Sequence, residues 1–127
     1  LIQNQSRKFI CKNVSVRIEN TSTPFTLHCE KKRVLKIPIA HHHGSYYTDS
    51  FSLKNLEDKG QVLFRYCDIS GNVSADSNPN GSVGSVAGVT NEQKNVMGMM
   101  PHPERCADPQ LTGTDGQLIF KSLIANY

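Results

Sequence analysis

The stretch NVMGMMPHPERC, residues 95–106, ends an apolar run at Pro101 and then sets His102, Glu104 and Arg105 close together. In an extended segment, residues i and i+2 point to the same side. A Glu104 carboxylate can then accept a hydrogen bond from one imidazole nitrogen of His102, fixing the tautomer and leaving the other nitrogen as a base. Pro101 and Pro103 restrict the backbone on either side of the histidine. The spacing His-x-Glu carries little information by itself, and on spacing alone a surface ion pair at a strand end is the plainer reading. A base for acyl transfer also needs a nucleophile. Cys106 is the nearest thiol, but an extended 103–106 carries it too far along the chain, and nothing around it marks an activated thiol. It reads as structural.

The second candidate is AHHHGSYY, residues 40–47. Three consecutive histidines, with His28 and Cys29 elsewhere, raise a metal site. Neighbouring residues of an extended chain face opposite ways, so His41 and His43 could share a side while His42 could not, and metal motifs use wider spacing. The other reading is a loop lining a substrate at the end of a strand, where Gly44 lets backbone approach a ligand. Tyr46 and Tyr47 read as packing residues. NPNGS, residues 78–82, reads as a plain surface turn.

The elements that must position these residues are mostly strands. Val14, Val16 and Ile18 alternate with polar residues as in a half-buried strand. VLKIPIA, 34–40, is a second strand, and Pro38 argues for a strand end or an edge. Asp49 or Ser50 caps a short helix through Leu53 and Leu56, ended by Gly60. QVLFRYC, 61–67, is a strand and 68–82 a long loop rich in Gly, Asn, Asp and Ser. VAGVTN and NVMGMMP form a hairpin around EQK. Thr114 or Asp115 caps a last helix, whose Phe120, Leu123, Ile124 and Tyr127 form one apolar stripe. The helices are too few to cover both faces of a sheet.

Composition narrows the classes. A chain of 127 residues with 37% hydrophobic content fits one compact domain. The net charge of +3 is spread out, apart from EKKR at 30–33, a solvated turn. No basic face with stacking aromatics points to nucleic acid, and no run is long and apolar enough for a membrane span. The stretch LIQNQSRKF lacks the apolar core of a signal peptide. The four cysteines form no CxxC. Cys11 and Cys67 lie in strand-like segments, where cysteine is a small buried hydrophobe, and the set fits a reducing, cytoplasmic compartment. Opening on Leu1, the chain reads as a piece of something longer.

Taken together and in this order, KFICKNVSVRIENTSTPFT, IPIAHHHGSYYTD, VLFRYCD, NPNGS, VAGVTNEQKNVMGMMPHPER and GTDGQLIFKSL resemble the glutaminase subunits of phosphoribosylformylglycinamidine synthases. These are class I glutamine amidotransferases of the Cys-His-Glu type. GMMPHPER alone resembles class I amidotransferases, and the NGS, AGVTNE and RYCD segments point to the purine enzyme. The resemblance implies an α/β fold: residues 1–127 as the C-terminal portion of a single flavodoxin-like domain, three-layered around a central mixed sheet. It implies hydrolysis of L-glutamine through a glutamyl thioester, with ammonia passed to a synthetase subunit that amidates formylglycinamide ribonucleotide in purine synthesis. That partner uses ATP and magnesium; no cofactor is implied in this subunit and no metal site. A small bridging subunit is a further implied partner. His102 becomes the general base, Glu104 its orienting carboxylate, and His43, Gly44 and Ser45 contacts to the bound glutamine.

Two departures stand out. The Gly-x-Cys-x-Gly nucleophile elbow of the family is absent, since none of Cys11, Cys29, Cys67 and Cys106 has glycines around it. The chain alone is therefore expected to lack glutaminase activity, and to expose unpaired edges that favour aggregation. Many relatives also carry an acidic residue where His43 stands. The competing expectations are a fragment that serves only as a partner-docking module, and a histidine-based metal protein.

Overall fold

The computed structural model describes residues 1–125. Its centre is a five-stranded sheet in the order β2-β1-β3-β4-β5, built from β1 (Ile10–Ile18), β2 (Val34–His41), β3 (Val62–Cys67), β4 (Val86–Thr90) and β5 (Met97–Met99). Two helices accompany it, α1 (Ser50–Asp58) and α2 (Gln117–Ile124), with a 3-10 turn at Pro103–Cys106.

The strands form where the alternation predicts. Val14, Val16 and Ile18 of β1 are buried, as are Leu35, Ile37 and Ile39 of β2. β3 is buried on both faces, with Leu63, Phe64 and Tyr66 fully enclosed. It is the middle strand, which explains its nearly continuous apolar run. Each such aliphatic side chain contributes about 1.5–3 kcal/mol of burial. The same period of two carries one step past Ile39 and puts His41 on the inner face, where it is buried.

Every adjacent pair in this sheet is antiparallel. The mixed, three-layered sheet expected from the resemblance is not what these residues form. The physical reason is connectivity. β4 and β5 are joined by a tight turn, and β1 and β2 by a loop without a helix, so both pairs must run antiparallel. The consecutive strands β2 and β3 run in the same direction with α1 between them, and they lie one strand apart with β1 between.

The sheet curls, so that the segment after β5 reaches β2. After β5 the Met100 N–H donates to the Ala87 carbonyl (3.1 Å), and two residues later the His102 N–H donates to the Pro38 carbonyl of β2 (2.8 Å). Pro38 is on the outer edge, as its missing N–H requires. Its carbonyl, turned away from β1, becomes the anchor for His102.

α1 starts as expected: the Asp49 carboxylate accepts from the Ser52 N–H (2.9 Å). α2 differs from expectation. Its N-cap is Gly116, because the Asp115 carboxylate is occupied by the Lys36 N–H of β2 (2.7 Å). The face turned to the core carries Ile119 and Ser122, with Leu118 packed alongside. The expected stripe does not face inward: Ile124 is exposed and Phe120 and Leu123 are half-buried. Tyr127 lies outside the described residues. No helix among the described residues is long and apolar enough to cross a membrane.

Candidate active site

His102 sits between the curled sheet and the 3-10 turn. Its backbone N–H is tied to β2, and its carbonyl accepts from the Arg105 N–H (3.1 Å). Residues 103–106 are wound, not extended as the spacing suggested, because Pro103 opens a turn closed by that hydrogen bond. The winding still brings the pair together: His102 Nδ1 lies 2.8 Å from Glu104 Oε1. The turn is fixed from below by α2. The Gly116 N–H donates to the Cys106 carbonyl (2.9 Å), and a Cβ at Gly116 would overlap the Pro103 carbonyl.

Such geometry makes His102 Nδ1 the donor and leaves Nε2 as the basic nitrogen. Nε2 makes no hydrogen bond among the described residues. The His102 side chain is 30% exposed and that of Glu104 57%. Arg105 Nε stands 3.7 Å from the same carboxylate oxygen, so the acid is shared between a base and a cation. Cys106 does not serve the pair. Its sulfur turns into the 3-10 turn, 3.6 Å from the Pro103 carbonyl oxygen and 4.0 Å from that of His102. Burial pushes its thiol above the ordinary value, which makes it a poor nucleophile.

The 41–45 segment is built around two buried asparagines. His41 turns inward, with Nδ1 2.9 Å from the Asn4 Oδ1 and Nε2 3.4 Å from the Asn80 Nδ2. An amide oxygen on one side and an amide nitrogen on the other assign a neutral ring protonated at Nδ1. Burial holds its pKa below the ordinary histidine value, and a charge on His102 would lower it further. The Gly44 N–H donates to Asn4 Oδ1 (3.1 Å) and its carbonyl accepts from Asn80 Nδ2 (2.9 Å). Ser45 is buried and bonded through both backbone groups to Ile2.

The close approach at Gly44 is therefore to the His41 ring, since a Cβ there would stand inside the imidazole. His42 and His43 do not alternate. Their rings lie 4.8 Å apart and tilted, with the two Nδ1 atoms at 3.2 Å, on the exposed side of the loop. Among the described residues no group of three or more His, Cys, Asp or Glu is placed to hold a metal ion.

Several residues differ from their sequence reading. NPNGS is not a plain surface turn: Asn80 is 1% exposed and Ser82 2%. Cys67 is buried as a strand cysteine should be, whereas Cys11 is exposed, since β1 runs beyond the core at that end. Tyr47 is exposed and packs little, while Tyr46 lines an apolar groove of about 300 Å³ with Leu1, Val86, Ala87, Met99 and Met100. Asn4 and Asn80 were missed. Asn80 lies in a turn-like composition and Asn4 carries no local signal, and only their contacts across the fold show their role.

The chain resembles known proteins along nearly its whole length. Residues 1–115 match the CobB/CobQ-like glutamine amidotransferase domain. The chain is 49% identical over 124 residues to the phosphoribosylformylglycinamidine synthase subunit PurQ of Acaryochloris marina, covering 98% of this chain and 53% of that protein. It is 48% identical over 126 residues to the corresponding subunit of Aquifex aeolicus, covering 99% and 56%. A chain in a solved structure of PurLQS from Thermotoga maritima superposes with a TM-score of 0.82 at 40% identity, covering 99% of this chain and 51% of that one. The chain thus spans about half the length of the relatives it matches. Over that span, the chain belongs to the CobB/CobQ-like glutamine amidotransferase family.

Proposed function

We propose that this chain supplies the base and the orienting carboxylate of a glutaminase that feeds ammonia to phosphoribosylformylglycinamidine synthesis. The observation that carries the reading is the 2.8 Å contact between His102 Nδ1 and Glu104, on a turn fixed to β2 on one side and α2 on the other. In this reading Nε2 takes the proton of a cysteine thiol as its sulfur attacks the carboxamide carbon of glutamine. The proton then goes to the leaving ammonia, and water, activated by the same nitrogen, hydrolyses the thioester to glutamate. Glu104 holds the ring in the productive tautomer and stabilises the imidazolium. None of the cysteine thiols hydrogen-bonds the His102 ring among the described residues, the Cys106 thiol reaching only the His102 backbone carbonyl, so the nucleophile is assigned to an elbow outside this chain.

His43, Gly44 and Ser45 are placed at the glutamine. With Gly44 and Ser45 largely engaged through their backbone, His43 has the side chain most available to a ligand. The complete domain is three-layered with a mixed sheet, to which this antiparallel portion contributes. The partners are a synthetase subunit, which uses ATP and magnesium to amidate formylglycinamide ribonucleotide, and a small bridging subunit, in the cytoplasm. This subunit needs no cofactor of its own. The likeness to PurQ subunits and to a chain of PurLQS supports that assignment.

The test uses the full-length protein that contains this segment. His102→Asn should reduce glutamate release by about 10³-fold or more, since the base serves both proton transfers. Retention of wild-type glutamate release by that variant would overturn the reading. The 127-residue chain alone should release no glutamate.

A further inference from the structure

The 78–82 turn is tied to itself. Asn78 Oδ1 accepts from the Gly81 N–H (3.0 Å), and Asn78 Nδ2 donates to the Ser82 carbonyl (2.8 Å). This frame turns the Asn80 side chain into the protein, where it is 1% exposed. Its Nδ2 donates to the Gly44 carbonyl (2.9 Å) and also lies 3.3 Å from the Tyr66 hydroxyl and 3.4 Å from His41 Nε2. Its Oδ1 accepts from the Ser82 hydroxyl (2.7 Å) and the Ser82 N–H (3.1 Å). Ser82 Oγ in turn accepts from the Tyr46 N–H (3.0 Å), and the Val83 N–H donates to the Tyr46 carbonyl (2.9 Å). The backbone on both sides of Ser45 is therefore oriented by one asparagine and one serine more than thirty residues further along the chain.

We propose that Asn80, acting with Ser82, is a positioning residue for glutamine: its carboxamide fixes the peptide units flanking Ser45 and so sets how residues 43–45 meet the substrate. This rests on the placement of 43–45 at the glutamine given above. A plain stabilising role would need only that the buried groups be satisfied. Here both contacts converge on one short loop, and the third, to Tyr66, points back into the core. The two roles therefore separate by residue. Asn80 and Ser82 hold the loop, whereas the Tyr66 hydroxyl, among the described residues, hydrogen-bonds Asn80 alone.

The experiment compares Asn80→Ser, Ser82→Ala and Tyr66→Phe in the full-length protein, by glutamine KM, kcat and thermal melting, with His102→Asn alongside. Asn80→Ser and Ser82→Ala should raise the glutamine KM about tenfold with a smaller change in kcat, the pattern of lost ground-state positioning. Tyr66→Phe should lower the melting temperature and leave KM unchanged. Ser82→Ala removes a single hydroxyl and carries the test if Asn80→Ser does not fold. An unchanged KM in a folded Asn80 or Ser82 variant overturns the proposal, as does a KM that rises equally in Tyr66→Phe. Loss of glutamate release in His102→Asn alongside an unchanged KM in the loop variants would refute the positioning role alone. Full release in His102→Asn would refute the catalytic reading instead.

Discussion

At the scale of single residues, the chemistry rests on a contact any surface could offer, so its worth must be read from what the variants do. Glu104 is more than half exposed, and water screens much of its charge. Its hydrogen bond to Nδ1 still selects the tautomer. Glu104→Gln should therefore lower kcat for glutamine hydrolysis by about 10²-fold, less than loss of the base itself. Steady-state kinetics on the full-length protein check this, and a change within the assay error would reduce the pair to a surface ion pair. Cys106 makes the opposite prediction. Its thiol is buried, pushed above the ordinary value by burial, and turned toward backbone carbonyls. Cys106→Ala should keep glutamate release within about twofold while costing about 1–2 kcal/mol of stability by the small cavity it leaves. Denaturant unfolding and the same kinetic assay read both numbers. A large loss of kcat without loss of stability would mean that the thiol takes part in the reaction.

At the scale of elements, the site depends on one place where backbone comes too close for any side chain. Gly116 meets the Pro103 carbonyl where α2 begins. Gly116→Ala must push the helix and the 3-10 turn apart, at a cost of about 1–3 kcal/mol. Because the turn carries Glu104, kcat should fall together with the melting temperature. A destabilised variant with unchanged kcat would show that the turn keeps its shape without α2. The elements themselves were largely legible in the sequence. Alternation in β1 and β2, the cap at Asp49 and the hairpin of β4 and β5 are local signals, set by neighbours within a few residues. What was not legible is set by distant partners. Asp115 would cap α2 if Lys36 did not take its carboxylate. The inward face of that helix follows from where the turn holds Gly116 and not from its own stripe. Residues 103–106 could be extended or wound on propensity alone, and the His102–Pro38 bond that fixes where the turn begins joins segments far apart in sequence. The pairing of His102 with Glu104 survived the change because i and i+2 side chains can meet in both conformations.

At the scale of the whole molecule, one buried polar seam joins the N-terminal segment, the end of β2 and the 78–82 turn. Asn4 reaches the Lys8 and His41 carbonyls as well as the His41 ring, and Asn80 completes the other side. No buried side-chain nitrogen or oxygen is left without a partner among the described residues. A seam so fully satisfied favours one arrangement of three distant segments, and it makes the fold sensitive to the charge on His41. Burial, the largest cause, holds the His41 pKa below the ordinary 6.5, opposed by a backbone hydrogen bond and assisted by His102. In the unfolded chain this histidine binds a proton at a higher pH than in the folded one. Stability from this group is therefore complete above about pH 6.5 and is lost as the pH falls through that value toward the lower folded pKa. Asp49, Asp68 and Glu92 have lowered carboxyl pKa values, through their hydrogen-bond partners. Their contribution is lost only in a more acidic window, at and below the ordinary carboxyl range, so the two effects separate. The expected outcome is a urea midpoint that falls between pH 7.5 and pH 5.5 in the wild-type protein, in the range where histidines titrate. In His41→Gln, which cannot titrate, the midpoint should be lower at neutral pH but flatter across that range. Equal slopes in the two proteins would mean that the seam accommodates a charged His41, and that other histidines carry whatever acid sensitivity the fold shows.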